Sequence, residues 1–420
     1  MLTQAENDML TRVGPATPAG ELLRRYWHVA GASCELSEEK PIKPVRMFGE
    51  DLVLFRMPPA PGQSEAAYGL VGERCSHRHA SLQHGMVDCE GIRCIYHGWK
   101  YAPNGACIEQ PPEGKASTFK DRVRQAAYPV KKLAGLLFAY MGPLPAPELP
   151  RWDLLVREDG RRWGMIESVI ECNWLQTLEN AVDPSHLWWL HGLLGTRDLP
   201  VGKARYDALG LPADFEEEHD FFQFEYGIMK RRITPSRRPG GPKEQEQHPL
   251  VFPTGLRLVI STESIIKQGW RFAETLTEEE KAVGHIHNMH FRTPIDDEHT
   301  MHYNVSFVDS KNRMSADEDP PFEVIPFKDE NNNYRLQHVT AQDVLAWESQ
   351  GAVMDRSKEH LGADDRGVIM LRKLVREQIE IVQSGGDPLG TIRDPSKNAI
   401  VEFDLVHEPF GLFRKEKSLI

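Results

Sequence analysis

The chain has 420 residues, 40% of them hydrophobic and 27% charged, and 50 Lys and Arg against 62 Asp and Glu give a formal net charge of −12. That balance fits a globular protein of two or three domains and excludes collagen-like, disordered and disulfide-scaffold classes. An acidic chain is a poor general binder of nucleic acid or anionic membrane, so neither is expected as a partner.

The N-terminus, MLTQAENDML, lacks a basic region followed by an apolar core. The longest apolar stretch, near Leu133 to Met141, is roughly half of a membrane span. A cytoplasmic location is therefore expected. The six cysteines are too few for a disulfide framework, and in a reducing cytosol clustered cysteines point to metal ligands.

Residues 1 to 30 read as helix, broken at Pro15, Pro18 and Gly20 and resumed in ELLRRYWHVA. VRMFGEDLVLFR predicts a hairpin turning around Gly49-Glu50-Asp51, and short strands with Gly/Pro turns continue to about Gly142. GPLPAPELP (142–150), with four prolines, reads as a linker. Beyond it, 168–192 is mostly helical in pattern, and 221–233, 256–262, 285–295 and 300–308 read as strands. The polar segment 237–248 reads as a loop, and 341–361 and 366–385 as helices. The expected division is a helical segment (1–40), a small all-β domain (41–145) and an α+β domain (151–420).

The strongest chemical signal lies in the β domain: Cys75-Ser-His77, then Cys94-Ile-Tyr-His97. Two thiolates and two imidazoles suit tetrahedral zinc or an iron–sulfur cluster. In a Rieske [2Fe–2S] centre one iron takes two Cys and the other two His, so each loop must offer one ligand to each iron. C-x-H and C-x2-H do this, with Cys75 and Cys94 on one iron and His77 and His97 on the other. Cys34, Cys89, Cys107 and Cys172 have no partner at ligand spacing and read as ordinary thiols.

A second constellation follows the linker: Glu179-Asn180-Ala-Val-Asp183-Pro-Ser-His186-Leu-Trp-Trp-Leu-His191. On an ideal helix Asp183 and His186 share a face, but His186 and His191 lie roughly 140° apart. A distortion must bring the two histidines together, and Pro184 is a local cause. Two His and one carboxylate from elsewhere make the facial set of a mononuclear non-haem Fe(II) site.

The chain resembles the large oxygenase subunit of Rieske non-haem iron aromatic ring-hydroxylating oxygenases, in the phthalate dioxygenase-like branch. The resemblance is carried by VGPATPAGELLRRYW, ERCSHRHASLQHG, GIRCIYHGWKYAPNG, YPVKKLAGLLFAYMGP and LENAVDPSHLWWLHG. That branch includes aryl-ether O-demethylating enzymes. One departure is His79, where the family commonly has Gly.

The resemblance implies an all-β Rieske domain followed by a helix-grip-like catalytic domain with an antiparallel sheet and C-terminal helices. The third iron ligand would be an Asp on a C-terminal helix. The stretch Q-D-x4-E-S-x-G favours Asp343, with Asp355, Asp364 and Asp365 as alternatives and Asp355-Arg356 read as an ion pair. Asp183 would bridge His186 and a Rieske histidine of a neighbouring subunit, in a homotrimer or hexamer. Asn180 is a candidate for the iron pocket.

The implied reaction takes O2 and electrons from NADH through a separate reductase or ferredoxin. It either hydroxylates a carboxylated aromatic substrate or O-demethylates a methoxylated aromatic acid with release of formaldehyde. No G-x-G-x-x-G follows a strand, so no NADH or flavin site is expected on this chain. Lys230, Arg231, Arg232 and Arg257 could receive an aromatic carboxylate or be solvent-facing charges at a strand end.

Overall fold

Two short helices open the chain. Thr3 caps the first, α1 (Gln4–Thr11), by a reciprocal pair with Glu6: the Thr3 hydroxyl accepts from the Glu6 N–H at 3.2 Å, and the Glu6 carboxylate accepts from the Thr3 N–H at 2.8 Å. Thr17 and Pro18 start the second, α2 (Pro18–Leu23). The expected helix does not continue to residue 30. Trp27–Ala32 is a strand, β1, paired antiparallel with Leu136–Tyr140. A partner more than 100 residues away in sequence overrides local helical periodicity. This computed structural model describes residues 2–114, 116–192, 194, 217–234, 243–403, 405–407 and 412–413.

The next strands are β2 (Ile42–Met47), β3 (Glu50–Met57), β4 (Ala67–Gly72), β5 (Met86–Asp88), β6 (Gly91–Arg93), β7 (Lys100–Tyr101), β8 (Cys107–Glu109), β9 (Ala127–Tyr128), β10 (Val130–Leu133) and β11 (Leu136–Tyr140). They form three small sheets, β1-β11-β10, β2-β3-β4-β9 and β5-β6-β7-β8. The first hairpin turns on Phe48 and Gly49, with φ of 49° and 77°, one residue earlier than expected. Two successive positive φ values match the right-handed twist of the flanking strands, so Glu50 and Asp51 join β3.

After the proline-rich segment come β12 (Arg151–Trp152), α3 (Asp153–Val156), β13 (Gly160–Glu167) and α4 (Trp174–Ala181). Then follow β14 (Glu218–Phe224), β15 (Gly227–Thr234), β16 (Glu244–Val251) and β17 (Gly255–Ser261). Three short helices, α5 (Thr262–Gln268), α6 (Arg271–Glu274) and α7 (Glu278–Val283), lead to β18 (His285–Pro294), β19 (Thr300–Asp309) and β20 (Phe322–Ile325). Helices α8 (Val339–Ser349) and α9 (Arg366–Gln383) follow.

Four expectations change here. Residues 168–192 hold only α4 and a later wide turn, and the extended segment expected at 221–233 is the β14–β15 hairpin. Residues 244–248 are strand rather than loop, because β16 is held by cross-strand pairing such as Arg232 opposite Glu246 rather than by apolar alternation; 237–242 lie outside the described residues. Helix α8 stops at Ser349, where Gly351 takes φ 90°.

The large sheet runs β14-β15-β16-β17-β18-β19-β13-β20, antiparallel except for the β13–β20 pair. Its two faces differ. Met289, Phe291, Tyr303, Val305 and Phe307 pack on one side with Phe138 of β11 and with Trp152 and Phe403. The alternate residues Asn288, His290, Arg292, His302, Asn304 and Ser306 are buried but polar. Arg292 on this face donates to the Thr177 carbonyl of α4 at 3.1 Å and lies over the Trp347 ring of α8 at 5.2 Å. The polar face therefore looks towards α4 and α8. Helix α9 closes on α4 at Gly367, where a Cβ would fall 2.1 Å from the Val182 carbonyl oxygen.

Candidate metal centres

The loops after β4 and β6 bring the two Cys/His pairs together. Cys75 and Cys94 are buried at 1% and 2% exposure, while His77 and His97 are half-buried. The imidazole rings meet edge to face at 4.6 Å, and Trp99 stacks on His77 at 4.3 Å. The Tyr101 hydroxyl lies 3.1 Å from the Cys75 sulfur and accepts from Ser76 Oγ at 3.0 Å. Burial pushes the Cys94 thiol up, and the N–H groups of Tyr96 and His97 pull it back; such donors also suit a bound thiolate.

The four donors do not converge on one point, whereas two other groups among the described residues bring their ligand atoms within 4.8 Å of one another. A single tetrahedral ion therefore fits poorly, and a two-metal cluster spanning a buried sulfur end and an outer imidazole end fits. The loop conformations explain two residues. Gly98 takes φ 73°, and His79 takes φ 59°, a left-handed conformation that favours glycine.

The second constellation is carried by α4, which Asn173 caps by accepting from the Leu175 N–H at 3.1 Å. The helix ends at Ala181, and Leu187–Gly192 forms a π-helical turn. An i→i+5 ladder places residues five apart on one side, which resolves the angular mismatch of His186 and His191. Across from them α8 presents Asp343, whose Oδ1 lies 3.3 Å from His191 Nε2 and 3.7 Å from His186 Nε2. These three are one of the groups whose donors all lie within 4.8 Å.

Behind the donors are acceptors. His191 Nδ1 is 2.8 Å from Gln342 Oε1, which fixes the proton on Nδ1 and leaves the Nε2 lone pair forward. His186 Nδ1 faces Asp183 Oδ2 at 3.7 Å, beyond hydrogen-bond reach, and is buried without a partner. Asn180 Nδ2 approaches Asp343 Oδ1 at 3.4 Å. Burial raises the Asp343 carboxyl, but His191, His186 and Arg292 outweigh it and hold it low; burial of Asp183 is likewise outweighed, by His186, Lys230 and the Ser185 N–H.

The alternative carboxylates lie elsewhere. Asp355 pairs with the exposed Lys358, Asp364 meets His219 and Ser185, and Asp365 accepts from the Gly362 N–H. The expected Asp355–Arg356 ion pair is absent from the described contacts. Arg356, fully buried, instead joins Glu179 at 2.7 Å, and Glu179 also holds Arg372 at 2.6 Å. That buried network ties α4 to α9 and to the segment after α8. Sequence reasoning missed Gln342, although its place beside Asp343 was a signal: neighbours on a helix can serve one ligand directly and another from behind.

The basic candidates also separate. Arg257, 1% exposed, pairs with Asp153 at 3.0 Å on the sheet face away from α4, and Arg231 pairs with Asp220 at 2.7 Å. Arg232, 5% exposed, pairs with Glu246 at 2.5 Å, while Lys230 is buried towards α4. The reading as solvent-facing strand-end charges therefore fails for Lys230, Arg232 and Arg257, because continued pairing on both edges of β15 and β17 encloses them.

Residues 26–125 match the Rieske [2Fe-2S] domain, and 170–380 match the vanillate O-demethylase oxygenase C-terminal domain. The chain is 38% identical, over 97% of its length and 87% of the relative's, to the 5,5'-dehydrodivanillate O-demethylase oxygenase subunit of Sphingobium sp.. The chain belongs to the Rieske non-haem iron oxygenases. It is also 27% identical, over 97% and 92% of the two chains, to the phthalate 4,5-dioxygenase oxygenase subunit of Pseudomonas putida. The solved structure of Pseudomonas putida CBB5 NdmA with caffeine shares the fold, with a TM-score of 0.61 at 18% identity over 88% and 94% of the chains.

As a Rieske oxygenase, the protein is an oxidoreductase using a [2Fe–2S] cluster and mononuclear non-haem iron, with electrons from a separate reductase or ferredoxin. The donor chemistry fits both groups: paired thiolates and imidazoles in the β domain, and two Nε2 atoms with one carboxylate in the catalytic domain. No helix among the described residues is long and apolar enough to cross a membrane.

Proposed function

We propose that the chain is the oxygenase component of a cytoplasmic O-demethylase acting on a methoxylated aromatic acid. The observation that carries this reading is full-length kinship at 38% identity to an O-demethylase oxygenase subunit. We assign Cys75, Cys94, His77 and His97 to the cluster, and His186, His191 and Asp343 to the iron. The three-part division 1–40, 41–145 and 151–420 is retained, with β1 lent to the β domain by the N-terminal segment.

When bound, the iron and the cluster supply oxygen activation and single electrons. The chain's own residues hold and orient. Gln342 keeps the His191 proton on Nδ1, Asp183 stands behind His186, and the polar sheet face opposite bounds the place where substrate would lie. One methyl C–H of the substrate becomes C–OH, and the resulting hemiacetal collapses to a phenol and formaldehyde. The methyl carbon is oxidised, and O2 with two electrons and two protons yields the inserted oxygen and one water.

Asp183 stands at a cleft of about 310 Å³ that is also lined by Asn180, His186, Trp189 and Leu361. Trp189 there is 53% exposed; at the β-domain tip Ile95 and Tyr96, between the ligands Cys94 and His97, are 56% and 55% exposed. Apolar surface at both places supports docking of one chain's tip into the next chain's cleft, in a homotrimer or hexamer. In that assembly Asp183 would connect the two metal centres. Sedimentation of the holoenzyme tests this: a monomer with full turnover overturns it.

Ring hydroxylation of a phthalate-like acid is the second reading, favoured by the near full-length match to a phthalate dioxygenase subunit. Oxygen uptake with a reductase and methoxylated aromatic acids decides. Stoichiometric formaldehyde supports O-demethylation; a diol with the methoxyl retained supports hydroxylation.

A further inference from the structure

Strand β15 carries three cations in a row, and they are treated differently. Arg231 points outward to Asp220 at 2.7 Å, and Arg232 reaches Glu246 at 2.5 Å and Glu217 at 3.4 Å. Lys230 is 7% exposed, yet among the described residues its ammonium has no carboxylate within 4.0 Å and no hydrogen-bond acceptor. Another buried cation of this face, Arg292, donates to the Thr177 carbonyl and lies over the Trp347 ring, although its Nε has no partner among the described residues.

Strand register fixes where Lys230 points. It lies opposite His248, which is two residues from Leu250; Leu250 lies opposite Leu256, Leu256 opposite His290, and His290 opposite Asn304. Directly paired residues share a face, so Lys230 belongs to the polar face that looks towards α4 and α8. Its charge is felt at Asp183, Asp343 and His191, in keeping with its place on the sheet face that looks towards the candidate iron site. Neither aspartate is within ion-pair distance of it; Asp183 faces His186, and Asp343 faces both histidines.

A buried ammonium without a counterion is costly, and burial with Arg232 nearby pulls it down to about 8. Asp183, Glu246 and Asp343 attract the charge from beyond ion-pair distance and offset only part of that cost. Resting on the O-demethylase reading above, we propose that Lys230 receives an anionic oxygen of the aromatic substrate, a carboxylate or phenolate, and thereby orients the ring beside the iron. Asn304 on the same face is fully buried with both amide atoms unpartnered, a second sign that this face is built for a polar ligand.

The test is binding without turnover. The anaerobic holoenzyme is titrated calorimetrically with 4-hydroxy-3-methoxybenzoate, its 5,5'-linked dimer, the methyl esters of both, and the fully O-methylated acids. Lys230→Met should weaken binding of the acids by about 10- to 100-fold, or about 1.4–2.8 kcal/mol, and Lys230→Arg should fall between. A loss confined to probes with a free carboxylate identifies that group as the partner; a loss confined to probes with a free phenol identifies the phenolate. Lys230→Met should also melt higher than wild type, because it removes a buried charge whose desolvation is only partly offset.

Equal binding by wild type and Lys230→Met overturns the proposal, as does a lower melting midpoint for the variant or a wild type that binds none of the acids. An acid that binds through Lys230 but yields no formaldehyde on turnover would sink the O-demethylase reading alone.

Discussion

Among the described residues stand two clusters of two histidines and one aspartate, and they are electrostatic opposites. His186, His191 and Asp343 come from the π-helical turn and α8; His285, His287 and Asp309 come from adjacent strands β18 and β19. Both bring their donor atoms within 4.8 Å. Behind the first stand oxygen atoms: Gln342 accepts from His191 Nδ1 and leaves its Nε2 lone pair forward, and the Asp183 carboxylate faces His186 Nδ1 across 3.7 Å. Behind the second stand two guanidinium groups: Arg257 donates to His287 Nδ1 at 3.1 Å, and Arg157 grips Asp309.

Because His287 Nδ1 accepts from an arginine, its Nε2 carries the proton and offers no lone pair. A divalent ion at the sheet cluster would also face both guanidiniums. Equal donor sets therefore do not make equal metal sites; the groups behind the donors decide.

The largest expected effect breaks this comparison directly. His191→Ala and Asp343→Ala should each lose the mononuclear iron and oxygenation while keeping the visible and EPR signature of the Rieske cluster. Asp309→Ala should keep its iron. Metal analysis of the purified variants checks both, and iron lost from Asp309→Ala but retained in Asp343→Ala would reverse the roles of the clusters.

What was legible in the sequence follows the same line. The four candidate cluster donors and His186/His191 sit in short segments whose spacing carries the geometry, and even the mismatch between the histidines announced a distorted helix. Asp343 needed the family resemblance, because nothing local links α8 to the π-helical turn. The strand at Trp27–Ala32, the pairing of Glu179 with Arg356 and Arg372, and the isolation of Lys230 depend on partners far along the chain. The sheet cluster shows the opposite hazard: H-x-H followed by Asp309 looks like ligand spacing, and only Arg157 and Arg257 reveal why it is a poor site.

The next effects sharpen the contrast from behind the donors. Asp183→Asn should keep both metal centres and the assembly but slow electron transfer from reduced cluster to iron by about 10- to 100-fold, since a neutral amide polarises an imidazole less. Single-turnover oxidation of the reduced cluster measures this, and an unchanged rate would remove Asp183 from the electron path. Gln342→Ala frees the His191 ring and should weaken iron binding about 10-fold, with Gln342→Glu recovering most of it. Arg257→Gln alters the corresponding position behind His287 and should leave iron content unchanged.

The smallest effect is a titration in the metal-free protein, where the two clusters should move in opposite directions. Burial lowers His287, and Arg257 and Arg157 lower it further; burial also lowers His191, but Asp343 and Gln342 outweigh it and leave it raised. The unfolded chain titrates near 6.5 in both cases. For His287, acidification through about 6.5 protonates the unfolded chain while the folded one stays neutral, so stability falls from there down to the folded value. For His191, the stabilising contribution is complete below about 6.5 and is lost as pH rises through the raised folded value. Imidazole NMR resonances of the apoprotein should therefore show His191 still titrating above 6.5 and His287 silent below it. In Arg257→Gln, His287 should move upward and the acid limb of the stability curve should shallow. A His287 that titrates at the ordinary value in the wild type would mean the guanidiniums are not what sets the sheet cluster apart.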